Sequence, residues 1–220
     1  MQQANEKDKF IVSRQAMVRY QLKNRDITDP AVLKVMADMP REKFIPDDCL
    51  EQAYCDGPLP VGYGQTISQP YIVALMTQEL KVNKDCEVLE IGTGSGYQAA
   101  ILAKLAKEVF TIERIEHLSM KAQKILAEMN ITNVKFHIGD GTCGWLENKQ
   151  FDRIIITAAA SDMPGPLLEQ LKTGGLAVAP LGADYVQELV VMKKTDSGLV
   201  MRTVCGCRFV RLIGKFGYDE

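Results

Sequence analysis

The sequence predicts an α/β fold: a doubly wound, mostly parallel sheet with an antiparallel C-terminal hairpin and a helical N-terminal segment. Three observations predict it. Strand-like and helix-like apolar patterns alternate from about residue 86 onward, the pattern of a parallel sheet covered by helices on both faces. Apolar runs such as Ile154-Ile155-Ile156 are nearly continuous, as strands buried on two faces require. Glycines also crowd one strand-to-helix junction, at Gly92, Gly94 and Gly96.

The elements follow in order. FIVSRQAMVRYQLKN and DPAVLKVMADM carry apolar residues at three-to-four spacing and read as helices. Asp29-Pro30 supplies a capping side chain just before a proline at the first helical position. The chain is read as one domain over 1–220, comprising a disordered tail (1–10), a helical lobe (11–57) and a core (58–220). GYGQTISQP, residues 62–70, reads as an uncharged loop. YIVALMTQEL is then a helix, followed by strand CEVLEIG, helix YQAAILAKLA, strand EVFTIER and helix EHLSMKAQKILAEM. Strands VKFHIGD and FDRIIITAA, helix PLLEQLK and strand GLAVAPL come next. Strands QELVVMKK and LVMRTVCGCRFVRLI close the chain around a TDSG turn.

Composition narrows the function classes. Hydrophobic residues make up 46% and the formal net charge is −2, so a core is affordable and no basic surface suits a polyanion. No Lys/Arg run follows a phosphate backbone, which argues against a nucleic-acid partner. MQQANEKDKF lacks the apolar centre of a signal peptide, and no apolar run approaches the ~20 residues of a membrane helix. A cytoplasmic protein without a membrane partner is expected. The six cysteines are scattered, so reduced thiols are the default. Cys205-Gly-Cys207 admits a metal or redox reading, but two ligands do not make a zinc site, and no metal is expected.

The chemistry lies in Glu90-Ile91-Gly92-Thr93-Gly94-Ser95-Gly96. Glycines at such a junction allow close backbone approach to a ligand. Glu113, on the next strand, lies near the ~20-residue distance at which a carboxylate accepts ribose hydroxyls. The spacing is GxGxG, not the GxGxxG of dinucleotide sites, and Glu90 precedes it. A carboxylate there repels a pyrophosphate but suits an ammonium. This favours S-adenosylmethionine, with its ammonium, sulfonium and ribose, over NAD. Asp140-Gly141 ends the third strand, where Asp140 is either a turn former or an acceptor for the adenine amino group. His117 and His137 are the only histidines, and neither is assigned a catalytic role.

DGPLPVGYGQTISQPYIVALM, VLEIGTGSGYQAA, FDRIIITAAA, LLEQLKTGG and a late RFV together resemble the protein-L-isoaspartate O-methyltransferase family of bacterial type. The likeness runs from about Val18 to Val210, and QTISQP beside the glycine motif is its most specific part. It implies a Rossmann-like class I methyltransferase fold. The implied reaction is methyl transfer from S-adenosyl-L-methionine to the α-carboxylate of L-isoaspartyl residues in damaged proteins and peptides, which initiates repair. It also implies an active-site role for Ser68, whose hydroxyl would orient the substrate carboxylate. Gln65, Thr66 and Ile67 would cover the cofactor, together with Glu90, Gly92, Thr93, Gly94, Ser95, Gly96, Glu113, Asp140 and Gly141. Ala159, Arg208 and Val210 would meet the peptide beside Ser68. Ser68 has two other readings, a cap for the helix that begins near Pro70 and a covalent nucleophile, which lacks an evident base. The family often has proline where this chain has Arg211, which affects the substrate rim or the last strand. A small-molecule methyltransferase and a binding-only adaptor on the same scaffold are the competing classes. A monomer or weak oligomer is expected.

Overall fold

The computed structural model describes residues 2–183 and 186–219. The N-terminal lobe starts with α1 (Gln2–Ala16), which runs into a π-helical stretch, Met17–Lys23. The tail expected over residues 1–10 is therefore helical from Gln2. Its polar composition hides the helix, but its end is anchored: Phe10 meets the Tyr54 ring at 6.5 Å and Lys9 pairs with Glu51 at 3.2 Å. Helix α2 spans Pro30–Asp38, capped by Asp29 Oδ1, which accepts from the amides of Ala31 (2.8 Å) and Val32 (3.2 Å). Two 3-10 turns, Arg41–Phe44 and Asp47–Gln52, complete the lobe.

The stretch read as a loop is instead mostly a small hairpin, β1 (Leu59–Gly62) against β2 (Gln65–Ile67). Tyr63 (φ 56) and Gly64 (φ 70) both have positive φ, as a tight primed turn requires to match strand twist. Leu59, Val61 and Ile67 are buried and fix the base of the hairpin. After it come α3 (Pro70–Leu80), β3 (Glu87–Ile91), α4 (Tyr97–Leu105), β4 (Glu108–Glu113), α5 (Glu116–Glu128), β5 (Val134–Ile138), β6 (Phe151–Ile156), α6 (Gly165–Glu169), β7 (Leu171–Ala183), β8 (Val186–Thr195) and β9 (Gly198–Cys207).

The large sheet has the order β5-β4-β3-β6-β7-β8-β9. Strands β5 to β7 in that order are parallel, while β8 and β9 add antiparallel. Residues alternate between its two faces: Val88, Val109 and Ile155 join the core with α2, α3 and α4, and Leu89, Phe110 and Ile154 join the opposite core with α6. The chain moves outward through β3, β4 and β5, then returns to β6 on the other side of β3. That reversal opens a crevice at the carboxyl ends of β3 and β6, where such sheets bind ligands.

Two further elements differ from expectation. Helix PLLEQLK is a single turn, because β7 already begins at Leu171, paired with Phe151. The last strand ends at Cys207, and RFVRLI crosses the carboxyl end of the sheet instead. Ala159 diverts it, donating its amide to Val210 O and accepting from Leu212 N, both at 2.7 Å.

Candidate active site

The crevice carries a cleft, one wall of which is the glycine loop after β3. Gly92 N (2.8 Å) and Thr93 N (3.3 Å) donate to Ile112 O, and Gly94 N donates to Glu113 Oε2 at 2.9 Å. Gly94 has φ +53, and a Cβ there would meet nothing within 4 Å. A side chain would thus be strained and would also occupy open space beside the loop. Gly96 has a different reason, since its Cβ would lie 2.8 Å from Ala122 Cβ on α5. Ser95 and Thr93, both buried, complete the lining from this loop.

Glu113 lines the cleft, its second oxygen accepting from Ile115 N at 2.9 Å. Gln65, Thr66, Ile67 and Ser68 form the opposite wall, with Gly141 at one end. At the hairpin tip Tyr63 stacks on His117 of α5, ring centroids 5.6 Å apart and 25° from parallel. That contact bridges the hairpin and the helix after Glu113.

A groove adjoins the cleft. It is lined by Pro58, Gln69, Ile72 and Gly206 to Arg208, among others, and shares Thr66, Ser68, Thr157, Val210 and Arg211 with the cleft. Ser68 therefore stands where the two meet. It does not cap α3: the cap position belongs to Gln69, which makes no side-chain cap bond. Phe209 and the exposed Arg208 face the groove.

Four expected site residues are placed differently, the first being Gly96, which packs on α5 and does not line the cleft. Glu90 is fully buried and does not line the cleft. Strand alternation turns it to the face of Val88, beside Thr111 in the ladder, and Thr111 Oγ1 donates to its Oε2 at 2.5 Å. Its Oε1 has no partner among the described residues. Burial pushes its carboxyl up to about 8, and the Glu113 charge adds to this against the Thr111 bond. Asp140 is likewise absent from the cleft lining; Gly141 is there instead. Asp140 Oδ1 accepts from Thr142 N (2.9 Å) and Oγ1 (2.7 Å), and Oδ2 accepts from Lys215 N at 2.8 Å and the Cys143 thiol at 3.5 Å. A carboxylate has about four lone-pair sites, so it is filled by the turn and by the C-terminal segment. Ala159 is buried, with both backbone groups committed to that segment. Its neighbour Ala158 lines the cleft.

Sequence reasoning missed Thr157, which follows β6 as Gly92 follows β3, directly across the crevice. Its hydroxyl donates to Gly92 O (2.6 Å) or Ile91 O (3.0 Å), tying the two strand ends together. The switch-point rule could have found it. Leu212 and Ile213 were missed as well, because they reach the cleft only through the diverted C-terminal segment. The cysteines are free thiols, and burial pushes Cys207 up to about 12. No group of three or more potential metal ligands occurs among the described residues.

Comparison with known proteins gives a consistent result. The profile of the protein-L-isoaspartate(D-aspartate) O-methyltransferase family matches residues 12–217. The chain is 49% identical to a protein-L-isoaspartate O-methyltransferase of Geobacter metallireducens over 95% of this chain and 97% of that one. It is also 49% identical to a protein of the same name from Dictyoglomus turgidum, over 96% of each. A solved protein-L-isoaspartate O-methyltransferase superposes with TM-score 0.84 at 29% identity, covering 93% of this chain and 67% of the other. A Plasmodium falciparum structure, provisionally given that name and determined with S-adenosyl-L-homocysteine, superposes at 0.79 with 26% identity, covering 91% of this chain and 98% of the other.

Proposed function

The chain belongs to the protein-L-isoaspartate(D-aspartate) O-methyltransferase family, and on that premise we propose that Ser68 aims the α-carboxylate of an L-isoaspartyl residue at a methyl donor held in the cleft. The protein is a repair methyltransferase acting on isoaspartyl proteins and peptides. One observation carries the assignment of Ser68: it sits at the junction of cleft and groove, and its side chain is not used to cap α3.

The cleft suits S-adenosyl-L-methionine on its own chemistry. Gly94 leaves an open cradle, and Glu113 offers a carboxylate to ribose hydroxyls. Gly141 borders the end away from Ser68 in sequence, where its backbone would meet adenine; Asp140 shapes that turn. When bound, the cofactor supplies an electrophilic methyl group. The remaining work falls to the chain. A carboxylate with an ordinary pKa of ~3.5 is already ionised at neutral pH, so no residue has to remove a proton. The Ser68 hydroxyl donates to one carboxylate oxygen and leaves the other to attack. Arg208 draws the anion into the groove, and Gln65, Thr66 and Ile67 shield the reacting atoms from water. Holding two reactants aligned contributes on the order of 7 kcal/mol or more, which makes positioning the main source of rate.

No helix among the described residues is long and apolar enough to cross a membrane. The free thiols support action in the cytoplasm, as a monomer or weak oligomer. The test uses labelled S-adenosyl-L-methionine and paired peptides that differ only in an L-isoaspartyl or L-aspartyl linkage. Base-labile label on the isoaspartyl peptide alone is expected. Equal labelling of both, or of neither, overturns the assignment, and binding without labelling points to an adaptor.

A further inference from the structure

Glu90 is the one ionisable group beneath the glycine loop that the proposed reaction leaves without a task. Thr93, Thr111 and Glu90 form a hydrogen-bonded row running inward from the cleft wall. Thr93 Oγ1 lies 2.6 Å from Thr111 Oγ1, which lies 2.5 Å from Glu90 Oε2. Thr93 lines the cleft, Thr111 is fully buried, and the second Glu90 oxygen is buried without a partner among the described residues. The row meets the cleft at Thr93.

We propose that Glu90 is a proton-linked positioning residue: it holds a proton in the free protein and releases it to solvent as the cleft takes up a cationic cofactor, reversing the Glu90–Thr111–Thr93 row. The inference rests on the S-adenosyl-L-methionine reading above. The Glu90–Thr111 contact can be donated from either side: with Glu90 ionised Thr111 donates to it, whereas in the protonated state the carboxyl O–H donates to Thr111, Thr111 donates to Thr93, and Thr93 points its proton into the cleft. Passing one proton along the row delivers it to water in the cleft. Glu90 is left ionised, Thr111 now donates to Glu90, and Thr93 donates to Thr111. The Thr93 oxygen then presents lone pairs to the cleft, which suits a ligand bearing an ammonium. The net change is one proton lost to water: Glu90 gives up its O–H, and Thr111 and Thr93 each give up one proton and take another.

The surroundings favour the protonated state when no cation is present. An orphaned carboxylate oxygen out of water is strongly disfavoured, and desolvation pushes this carboxyl up to about 8. Among the described residues Glu113, on β4, is the charged group that acts on it, and its repulsion adds to the same effect. On the other side its ladder neighbour is Ile155, which carries no charge. A cation brought near reverses the balance, since an opposite charge favours the ionised form. The sign follows: protons compete with the cofactor, so affinity rises with pH up to about 8 and then flattens.

Calorimetric titration with S-adenosyl-L-methionine at pH 7, in phosphate and in Tris, counts protons through the buffers' different ionisation heats. Close to one proton released per cofactor is expected, and fewer with S-adenosyl-L-homocysteine, which lacks the sulfonium charge. Between pH 6 and pH 8 affinity is expected to rise by up to about tenfold per pH unit, the limit for one linked proton. Glu90→Gln should abolish the buffer dependence. If that variant fails to fold, Thr111→Val should suppress proton release, by removing the donor that stabilises the ionised form, and Thr111→Ser should restore it. Wild-type binding without proton exchange, or unchanged release in Glu90→Gln or Thr111→Val, overturns the proposal. No binding at all removes the cofactor reading and this inference with it.

Discussion

The two walls of the cleft are built by different means. The glycine-loop wall is fixed at almost every residue, by Gly92 and Thr93 on Ile112, Gly94 on Glu113 and the buried Thr93–Thr111 contact. The hairpin wall is anchored at its base by Leu59, Val61 and Ile67. Toward its tip it relies on the exposed Tyr63 stacked on His117 and a 3.4 Å bond from Gln65 Nε2 to Tyr63 O. Beyond Ser68, Gln69 holds Asp56 at 2.8 Å, and Asp56 in turn pairs with Arg25 at 2.5 Å on the surface. Exposed pairs of that kind contribute only ~0–1 kcal/mol. A rigid wall suits a cofactor of one shape, and a lightly tethered wall suits polypeptides of many sequences.

Four experiments break or sharpen this contrast. Ser68→Ala should have the largest effect, lowering kcat by about 100-fold or more, the scale of a lost alignment. Its melting temperature should stay near wild type. A variant that folds normally and turns over at the wild-type rate would remove Ser68 from the mechanism.

The second experiment moves the same change between the walls. Gly96→Ala places a Cβ 2.8 Å from Ala122 Cβ at φ +86, so urea unfolding should show a loss of ~2–3 kcal/mol, toward the upper end for a strained residue. Gly64→Ala, at φ +70 with open space around the Cβ, should lose only about 1–2 kcal/mol. Equal losses would mean that the hairpin turn is held as firmly as the loop.

Third, Tyr63→Ala and His117→Ala each remove the tip contact. Aromatic pairs contribute ~0.5–1.5 kcal/mol, so each variant should weaken cofactor binding by about 2- to 12-fold. The double variant should be no worse than either single one. Fully additive losses would show that the stack does not tether the hairpin. The smallest effect concerns Cys207 in the groove. Burial holds its thiol near 12, so iodoacetamide at pH 7.5 should leave it unmodified while the exposed Cys55 reacts. Peptide mass mapping reads this directly, and rapid Cys207 labelling would show that the groove opens to water.

Much of the fold was legible because each signal was local. Buried parallel strands repeat apolar residues over five or six positions, and each predicted core strand has a counterpart. The helix start at Asp29-Pro30 was also visible, since cap and proline are neighbours in sequence. The hairpin was not, because β2 is three residues long, too short for an alternating pattern. The start of α1, from Gln2, was hidden by its polarity. Glu90 and Asp140 were read as ligand contacts from type and position. Which way a carboxylate turns depends on the neighbouring strand and on a C-terminal segment 75 residues away.

By itself the sequence determined the sheet, the glycine junction and the family, since periodicity and contiguous motifs specify these without distant partners. Tertiary structure alone decided which residues share one space. Thr66, Ser68, Thr157, Val210 and Arg211 border both cleft and groove, yet they come from three widely separated stretches of chain. Tertiary structure also buried Ala159 and made it the anchor of the segment that carries Val210 to the rim. Local patterns record how a segment folds against its own period. They do not record what arrives beside it when the crevice between β3 and β6 is covered by the end of the chain.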